Sequence, residues 1–335
     1  MNEKILYFLS YLVSTYIRLR GRKNPDIHDI LIVKLDEIGD IITALPVFYS
    51  IHYQYPSARM TLFCKPFNTV FFEHLDYINC ITEHHQLEFD HPYDLIIELR
   101  GNWETLKYAL RYRPQIFLDR GTVRLKNKFF GGQKNEILTN IQIIDSIVDK
   151  PISLSNSIVF SKKEETKVKA FIKQQGLNKF VLLHLGARDE ARRWPIDRFR
   201  EIIAYINTNY SIHCILVGGP EDNSLNKTCL SAVKNKNNLN IVGKFNLLEF
   251  AALCSRATLF IGNESGPLHI AAAQNTPNIG LFGPGVKGVF YPINEKSIVH
   301  HYFLARKHHK QTVINSTIYS ISVQEVKKSI DLMLS

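Results

Sequence analysis

Phe260-Ile-Gly-Asn-Glu-Ser-Gly-Pro-Leu-His269-Ile-Ala-Ala-Ala273 is a strand that ends in a tight turn and opens a helix of small residues. Ser265 sits where a helix N-cap belongs, Gly266 lets a backbone approach closely, and Pro267 suits the first helical turn. Free N–H groups and the helix dipole at such a start favour a phosphate. The same residues also make an ordinary capped helix start, so this stretch alone leaves both readings open.

Outward from it, the pattern repeats. Strands are predicted at Phe180–Leu185, Ile212–Val217, Thr258–Ile261 and Asn278–Phe282. Helices are predicted at Ile196–Asn207, Leu247–Cys254 and Pro267–Gln274. In the first half, strands are predicted at Ile30–Leu35, Met60–Cys64, Asp94–Leu99 and Gln115–Leu118, with a helix from Asp40 to about Tyr53. Strand–helix alternation of this kind predicts parallel sheets covered on both faces. The two series change over between about 150 and 178, where a polar helix is predicted from Ser161 to Gln175.

The chain has 335 residues, 45% apolar and 21% charged, enough for two domains with real cores and unlike a disordered or fibrous protein. Lys and Arg outnumber Asp and Glu by 41 to 31, a net +10 that suits an acidic partner. Five scattered cysteines without a CxxC pair argue against a disulfide framework or a structural zinc site, and fit the cytosol. Asn-x-Ser/Thr sequons begin at Asn226, Asn263 and Asn315, and no signal peptide is evident. GxxxxGK[ST] is not present, which disfavours a P-loop enzyme. The adjacent His pairs 84/85, 300/301 and 308/309 point in different directions within a strand or helix and make poor metal chelators.

Two other segments carry chemistry. In Leu183-His-Leu-Gly-Ala-Arg188-Asp-Glu-Ala-Arg192-Arg193-Trp194-Pro195, a strand ends in a glycine and a basic loop. Its Arg188, Arg192 and Arg193 suit phosphate, or form a solvated loop anchored by Trp194. In Lys34-Leu-Asp-Glu-Ile-Gly39-Asp40, a carboxylate follows the first strand beside a glycine turn. Asp40 is a candidate general base, or only an acid in the first turn of a helix.

Together these segments resemble the family 9 glycosyltransferases, whose best-known members are the lipopolysaccharide heptosyltransferases. The likeness covers about residues 30–56 and 180–292. It lies in Ile38-Gly39-Asp40 with Thr43 to Pro46, the Gly186–Pro195 loop, Gly218-Gly219-Pro220-Glu221, Gly262 to Pro267 with His269, and Phe282-Gly283-Pro284. Residues 57–160 carry no recognised motif. The resemblance implies an α/β GT-B fold, with two Rossmann-like domains facing a central cleft, the acceptor on the first and the nucleotide-sugar on the second. The expected division is 25–160 and 161–335, after a possible membrane-surface helix at 1–24.

The implied reaction is an inverting transfer of heptose from ADP-heptose to a lipopolysaccharide-core or related glycolipid, without a metal and with no cofactor beyond the nucleotide-sugar co-substrate. Asp40 would be the base. Arg188, Arg192, Glu264, Ser265, Gly266 and His269 would serve the donor, with Glu221 or Asp222 on its ribose or adenine side. Arg192 stands where the family usually has lysine and Glu264 where it commonly has Asp. Two alternatives stay open: a non-catalytic sugar-nucleotide-binding protein on the same fold, and another GT-B enzyme such as a nucleotide-sugar epimerase.

Between Arg100 and Lys134 lie nine basic residues and only Glu104 and Asp119 as acids. This stretch is either an acceptor site for an acidic glycolipid, with Gly39, Arg100, Arg111 and Arg113 as contacts, or a solvated face. No nucleic-acid-binding motif is present. Ile5–Ile17 is almost wholly aliphatic or aromatic and is followed by Arg18, Arg20, Arg22 and Lys23. It suits either a helix lying on an anionic membrane or one packed on the protein body. The expected location is cytoplasmic, peripheral on the inner membrane.

Overall fold

Ile30, Leu31, Ile32 and Val33 are all at most 1% exposed. Strand β1 (Asp29–Lys34) is therefore buried on both faces, as a central parallel strand is. The computed structural model describes residues 3–20, 26–82, 92–101, 103–132, 135–149, 157–233, 235, 237–284, 288–302 and 318–335. It divides into two units, Met1–Val159 and Phe160–Ser335.

In the first unit β1 is joined by β2 (Arg59–Cys64), β3 (Ile78–Ile81), β4 (Leu95–Glu98) and β5 (Ile116–Asp119). The five strands run parallel in the order β3-β2-β1-β4-β5. All their carboxyl ends therefore lie on one edge, where ligands bind in such sheets. The helices are α1 (Glu3–Arg20), α2 (Ile38–Gln54), α3 (Trp103–Tyr112), α4 (Arg120–Phe130) and α5 (Glu136–Ile144).

Helix α1 packs on this unit. Val13 and Ile17 enter a core with Leu31, Ile96 and Phe117, and the Ser14 hydroxyl donates to Phe117 O at 2.9 Å. Its other face stays outside, with Ile5, Phe8, Leu12, Tyr16 and Leu19 exposed at helical spacing. Packing on the protein body thus accounts for one face of this helix. No helix among the described residues is long and apolar enough to cross a membrane.

The second unit begins with α6 (Lys162–Gln174), closed at its start by a capping box between Ser161 and Glu164. Its strands are β6 (Phe180–His184), β7 (His213–Val217), β8 (Leu239–Asn240), β9 (Leu259–Asn263), β10 (Asn278–Phe282) and β11 (Ser297–His301). They too are parallel, in the order β11-β10-β9-β6-β7-β8. The helices are α7 (Ile196–Tyr210), α8 (Asn223–Ala232), α9 (Leu247–Cys254), α10 (Gly266–Ala273) and α11 (Val323–Leu334). The core gathers β-strand aliphatics with Trp194, Phe199, Ile202, Ile206 and, from the far C-terminus, Val326 and Ile330.

The predicted strands are all present within a residue or two. The sequence reading missed β3, β8, β11, α3, α4, α5, α8 and α11. The three strands are short, and β8 and β11 are half-buried along their length, so neither shows a continuous apolar run.

The His300 and His301 side chains are each engaged by hydrogen bonds, to Ser329 Oγ at 2.9 Å and to the Tyr291 hydroxyl at 2.7 Å respectively. The other two His pairs lie outside the described residues. The sequons at Asn226 and Asn263 fall on fully buried side chains; the third lies outside the described residues.

Candidate functional site

At the carboxyl edge of the first sheet, Lys34 closes β1 with no exposed surface. Its ammonium lies 3.0 Å from Asp36 and 3.8 Å from Glu136, and donates to Leu99 O at 3.2 Å. Glu136, at the start of α5, is almost wholly buried and is held by Arg120 at 2.5 Å, with Arg124 at 3.8 Å. Arg100 donates to Leu35 O and lies 3.4 Å from Asp36. Three β–α junctions and one helix start thus place a buried network of alternating charge on one edge. Burial of an unpaired charge costs several kcal/mol, so the buried Lys34, Glu136 and Arg120 require one another.

Asp40 stands in the first turn of α2 beside this network. Its carboxylate forms no hydrogen bond or ion pair with the described residues, and its backbone carbonyl accepts from the Thr43 hydroxyl at 2.8 Å. Burial raises the Asp40 pKa above the ordinary carboxylate value, the Lys34 charge opposes this, and Asp36 and Glu136 reinforce it. A half-buried carboxylate with a raised pKa and no internal partner is equipped to take a proton.

Glu98, which closes β4, is buried deeper still and its pKa is pushed up to about 7 by desolvation. Its carboxylate accepts from the Arg100 and Gly101 N–H groups at 2.9 and 3.2 Å, and so shapes the loop that carries Arg100.

Of the acceptor candidates, Gly39 and Arg100 lie at this edge. Arg111 and Arg113 do not. They stand at the far end of α3, which leaves the carboxyl edge after β4 and returns to the opposite edge before β5. Ten helical residues separate the ends of α3 by about 15 Å. Arg111 instead covers the Tyr112 ring, and Arg113 turns the chain with a φ of 50°. The basic stretch is therefore split between two edges by the strand–helix geometry, which corrects its reading as a single acceptor surface.

At the carboxyl edge of the second sheet, the loop after β6 is pinned by Trp194. Its backbone N–H donates to Asn263 Oδ1 at 3.0 Å and its indole N–H to Ile321 O at 2.9 Å. Asn263 in turn donates to Leu185 O at 2.8 Å and Gly186 O at 3.2 Å. These bonds hold the basic loop against the turn before α10. Arg192, in a short 3-10 turn, lies 3.5 Å from Glu264. Arg188 is exposed on the same loop.

Ser265 occupies the N-cap position of α10, but its hydroxyl does not cap the helix. It lies 3.0 Å from His184 Nδ1 and 3.0 Å from Asn263 O. The side chain turns toward β6 instead, so the helix opens uncapped. Gly266 then presents an N–H group without an intrahelical partner, and Pro267 has none to present. This corrects the expectation of a capping serine and leaves the helix start open to an anion.

Glu221 and Asp222 differ in their surroundings. Asp222 points inward, 3.2 Å from His184 Nε2 and accepting from the Gly219 N–H at 3.0 Å. Burial raises its pKa, but the hydrogen bond and charge of His184, the Gly219 N–H and the Arg193 charge together hold it below the ordinary value. Glu221 is the exposed one of the pair. His269 is buried, edge-on to Phe290, and desolvation lowers its pKa to about 4. It is neutral near pH 7 and offers no charge to a phosphate.

Sequence reasoning missed Lys34, Glu136 and His184. Lys34 had a signal, a lone charge closing an apolar strand. His184 similarly closes β6. Glu136 had none.

The sequence profile of glycosyltransferase family 9 (heptosyltransferase) matches residues 111–318, more than half of the chain. The chain is similar to the lipooligosaccharide heptosyltransferase 2 of Haemophilus influenzae, at 23% identity over 305 residues, covering 81% of this chain and 88% of that one. Among solved structures, a family 9 glycosyltransferase from Veillonella parvula superposes with a TM-score of 0.77 at 19% identity, covering 94% of this chain and 99% of that one. The E. coli ADP-heptose lps heptosyltransferase II superposes with a TM-score of 0.70 at 17% identity, covering 91% and 98%. These likenesses place the fold in the GT-B class. With a parallel sheet in each half and the family profile spanning the junction, the chain belongs to glycosyltransferase family 9, the heptosyltransferase family, and is a glycosyltransferase.

Proposed function

We propose that this enzyme transfers heptose from ADP-heptose to a hydroxyl of a lipopolysaccharide-core or related glycolipid, with inversion. The observation that carries the reading is the Asp40 carboxylate, half-buried and unengaged at the carboxyl edge of the first sheet. In this reading Asp40 accepts the proton of the acceptor hydroxyl. That oxygen forms a bond to the anomeric carbon from the face opposite the diphosphate. The bond from the anomeric carbon to the diphosphate oxygen breaks, and ADP leaves with the electron pair.

Negative charge grows on the diphosphate as this bond breaks, so fixed donors there lower the barrier. Arg192, Ser265 and the N–H groups that open α10 supply them, and Arg188 adds exposed positive charge. Glu221 serves the ribose. No metal ion is assigned a step in this scheme. Gly39 and Arg100, on the same edge as Asp40, serve the acceptor. The exposed apolar face of α1, ending in Arg18 and Arg20, holds the enzyme to the cytoplasmic surface of the inner membrane, where an anionic glycolipid is made.

The test is turnover with ADP-heptose and a heptose-accepting core glycolipid, following ADP release and the anomeric configuration of the product. Inverted glycoside formed by the wild type, with turnover lost and ADP binding kept in Asp40→Asn, is the expected result. Undiminished turnover in Asp40→Asn overturns the assignment of the base. Binding of another nucleotide in place of ADP overturns the donor.

A further inference from the structure

One face of the first sheet is covered by two helices. Leu31 and Val33 of β1, Phe63 of β2, Ile96 of β4 and Phe117 of β5 lie on that face. Residues paired across parallel strands point the same way, as do residues two apart along one strand. Val13 and Ile17 of α1 pack on this face together with Leu106 and Ala109 of α3. The two helices also touch each other. Their outer sides therefore share one surface, directed away from the sheet.

Both outer sides combine large apolar side chains with cations. The exposed stripe of α1, from Ile5 to Leu19, is about 20 Å long and ends at Arg18 and Arg20. On α3, Trp103, Lys107, Leu110 and Arg111 are exposed at helical spacing. Trp103 and Leu110 are 37% and 43% exposed. The Lys107 ammonium stands 5.6 Å from the centre of the Trp103 ring and 3.0 Å from Glu104.

Acids are scarce on this surface. There is none from Ile5 to Arg20, and Glu104 is the only one in α3. Apolar side chains framed by cations complement an acyl layer beneath anionic headgroups. Tryptophan, an apolar ring with one polar N–H, suits that boundary.

We propose that α3 docks beside α1 on an anionic phospholipid bilayer. Trp103 and Leu110 enter the acyl boundary, while Lys107 and Arg111 bind headgroup phosphates. This gives the basic stretch after β4 a role that its separation from the acceptor edge does not prevent. Arg100 precedes α3 by only three residues, so the same docking holds that edge close to the bilayer. The inference rests on the reading that α1 holds the enzyme to a membrane.

The experiment uses the full-length protein and phosphatidylcholine vesicles with and without phosphatidylglycerol, one set carrying brominated acyl chains. Trp103 and Trp194 are the only tryptophans, and Trp194 is 2% exposed in the core of the second unit. Brominated anionic vesicles should therefore quench wild-type fluorescence through Trp103 and leave Trp103→Phe unquenched. Lys107→Glu with Arg111→Glu should weaken sedimentation with anionic vesicles at least about 30-fold. Leu110→Ser should weaken it several-fold. Lys162→Glu with Lys163→Glu makes the same charge change on the exposed start of α6, and should alter it less than about threefold. Turnover of a lipid-free core oligosaccharide should be equal in the charge and Leu110 variants and wild type. Circular dichroism shows that each variant is folded.

Anionic-vesicle binding by wild type without quenching, or binding that the α3 variants leave unchanged, overturns the α3 surface and leaves α1 as the anchor. Absence of wild-type binding to anionic vesicles overturns the membrane reading and this surface with it. A raised KM for the lipid-free acceptor in the Lys107/Arg111 variant assigns these cations to the acceptor and overturns the proposal. Self-association lost in Leu110→Ser, with vesicle binding unchanged, assigns the face to a second copy of the chain and also overturns it.

Discussion

The Arg192 guanidinium and the Glu264 carboxylate lie 3.5 Å apart, joining the basic loop after β6 to the turn that opens α10. These are the two positions at which the sequence departs from the lysine and aspartate that the family resemblance would place there. The departures are made together, a longer carboxylate facing a broader cation. Arg192 is only partly buried, so the pair itself contributes little to stability. In the proposed donor site, its effect is to aim a planar, multi-donor cation at the helix start.

Replacing this cation should therefore act on donor binding. Arg192→Ala is expected to weaken ADP binding about 10- to 100-fold, the loss of a charged hydrogen bond worth about 1.5–3 kcal/mol. Arg192→Lys alone should lose part of this, and Arg192→Lys with Glu264→Asp should recover some of it. Calorimetric affinities for wild type, Arg192→Lys, Glu264→Asp and the double variant measure the coupling; strictly additive losses would show that the pair does not act as a unit.

The acid limb of turnover should report Asp40. The base works deprotonated, and its raised pKa places the loss of activity on acidification above the ordinary carboxylate range. Asp40→Asn should lower kcat at least about 100-fold with ADP affinity unchanged. Lys34→Met removes the charge that opposes the rise, so the acid limb should move to higher pH. It also strips Glu136 and Asp36 of a buried partner, at a cost of about 3–5 kcal/mol. A pH–rate profile on the folded fraction, with urea unfolding alongside, tests both; an unmoved acid limb would show that Lys34 does not tune the base.

Glu98 gives a stability prediction of opposite sign to the usual carboxylate. Its folded-state pKa of about 7 lies above the unfolded value, so the folded state binds the proton more tightly. Its contribution to stability is fully present below the ordinary glutamate range, about pH 4.3, and is lost as pH rises through 7. Glu98→Gln should remove that slope, leaving the variant relatively more stable at pH 8 than at pH 5 when compared with wild type. Chemical denaturation at the two pH values decides it, and parallel curves for both proteins would refute the assignment.

The two faces of α1 should separate by experiment. Phe8→Ser with Leu12→Glu alters only exposed positions and should reduce sedimentation with anionic phospholipid vesicles several-fold, with the melting temperature held within a few degrees. Val13→Ala opens the core beneath the same helix and should cost about 1–3 kcal/mol with vesicle binding retained. Equal vesicle binding by the Phe8/Leu12 variant and wild type would remove the membrane role.

The amino-acid sequence by itself determined the two β–α series, the central strands and the turns that end them. Those features are local: an apolar run of five or six residues, a glycine or an acid at its end, and a helix start reach no further than one turn of chain. It also carried the family, because Gly39-Asp40 and Ser265-Gly266-Pro267 are short motifs in a set order. Tertiary structure alone decided what each polar side chain meets. Lys34 finds Glu136 because parallel pairing brings distant strand and helix ends to one edge, and a buried charge must be matched there. Ser265 forgoes its own helix for His184, and Asp222 turns inward for the same imidazole, since three strand ends converge on it. Arg111 and Arg113 part from Arg100 because a helix between parallel strands must cross the sheet, a separation that composition does not show.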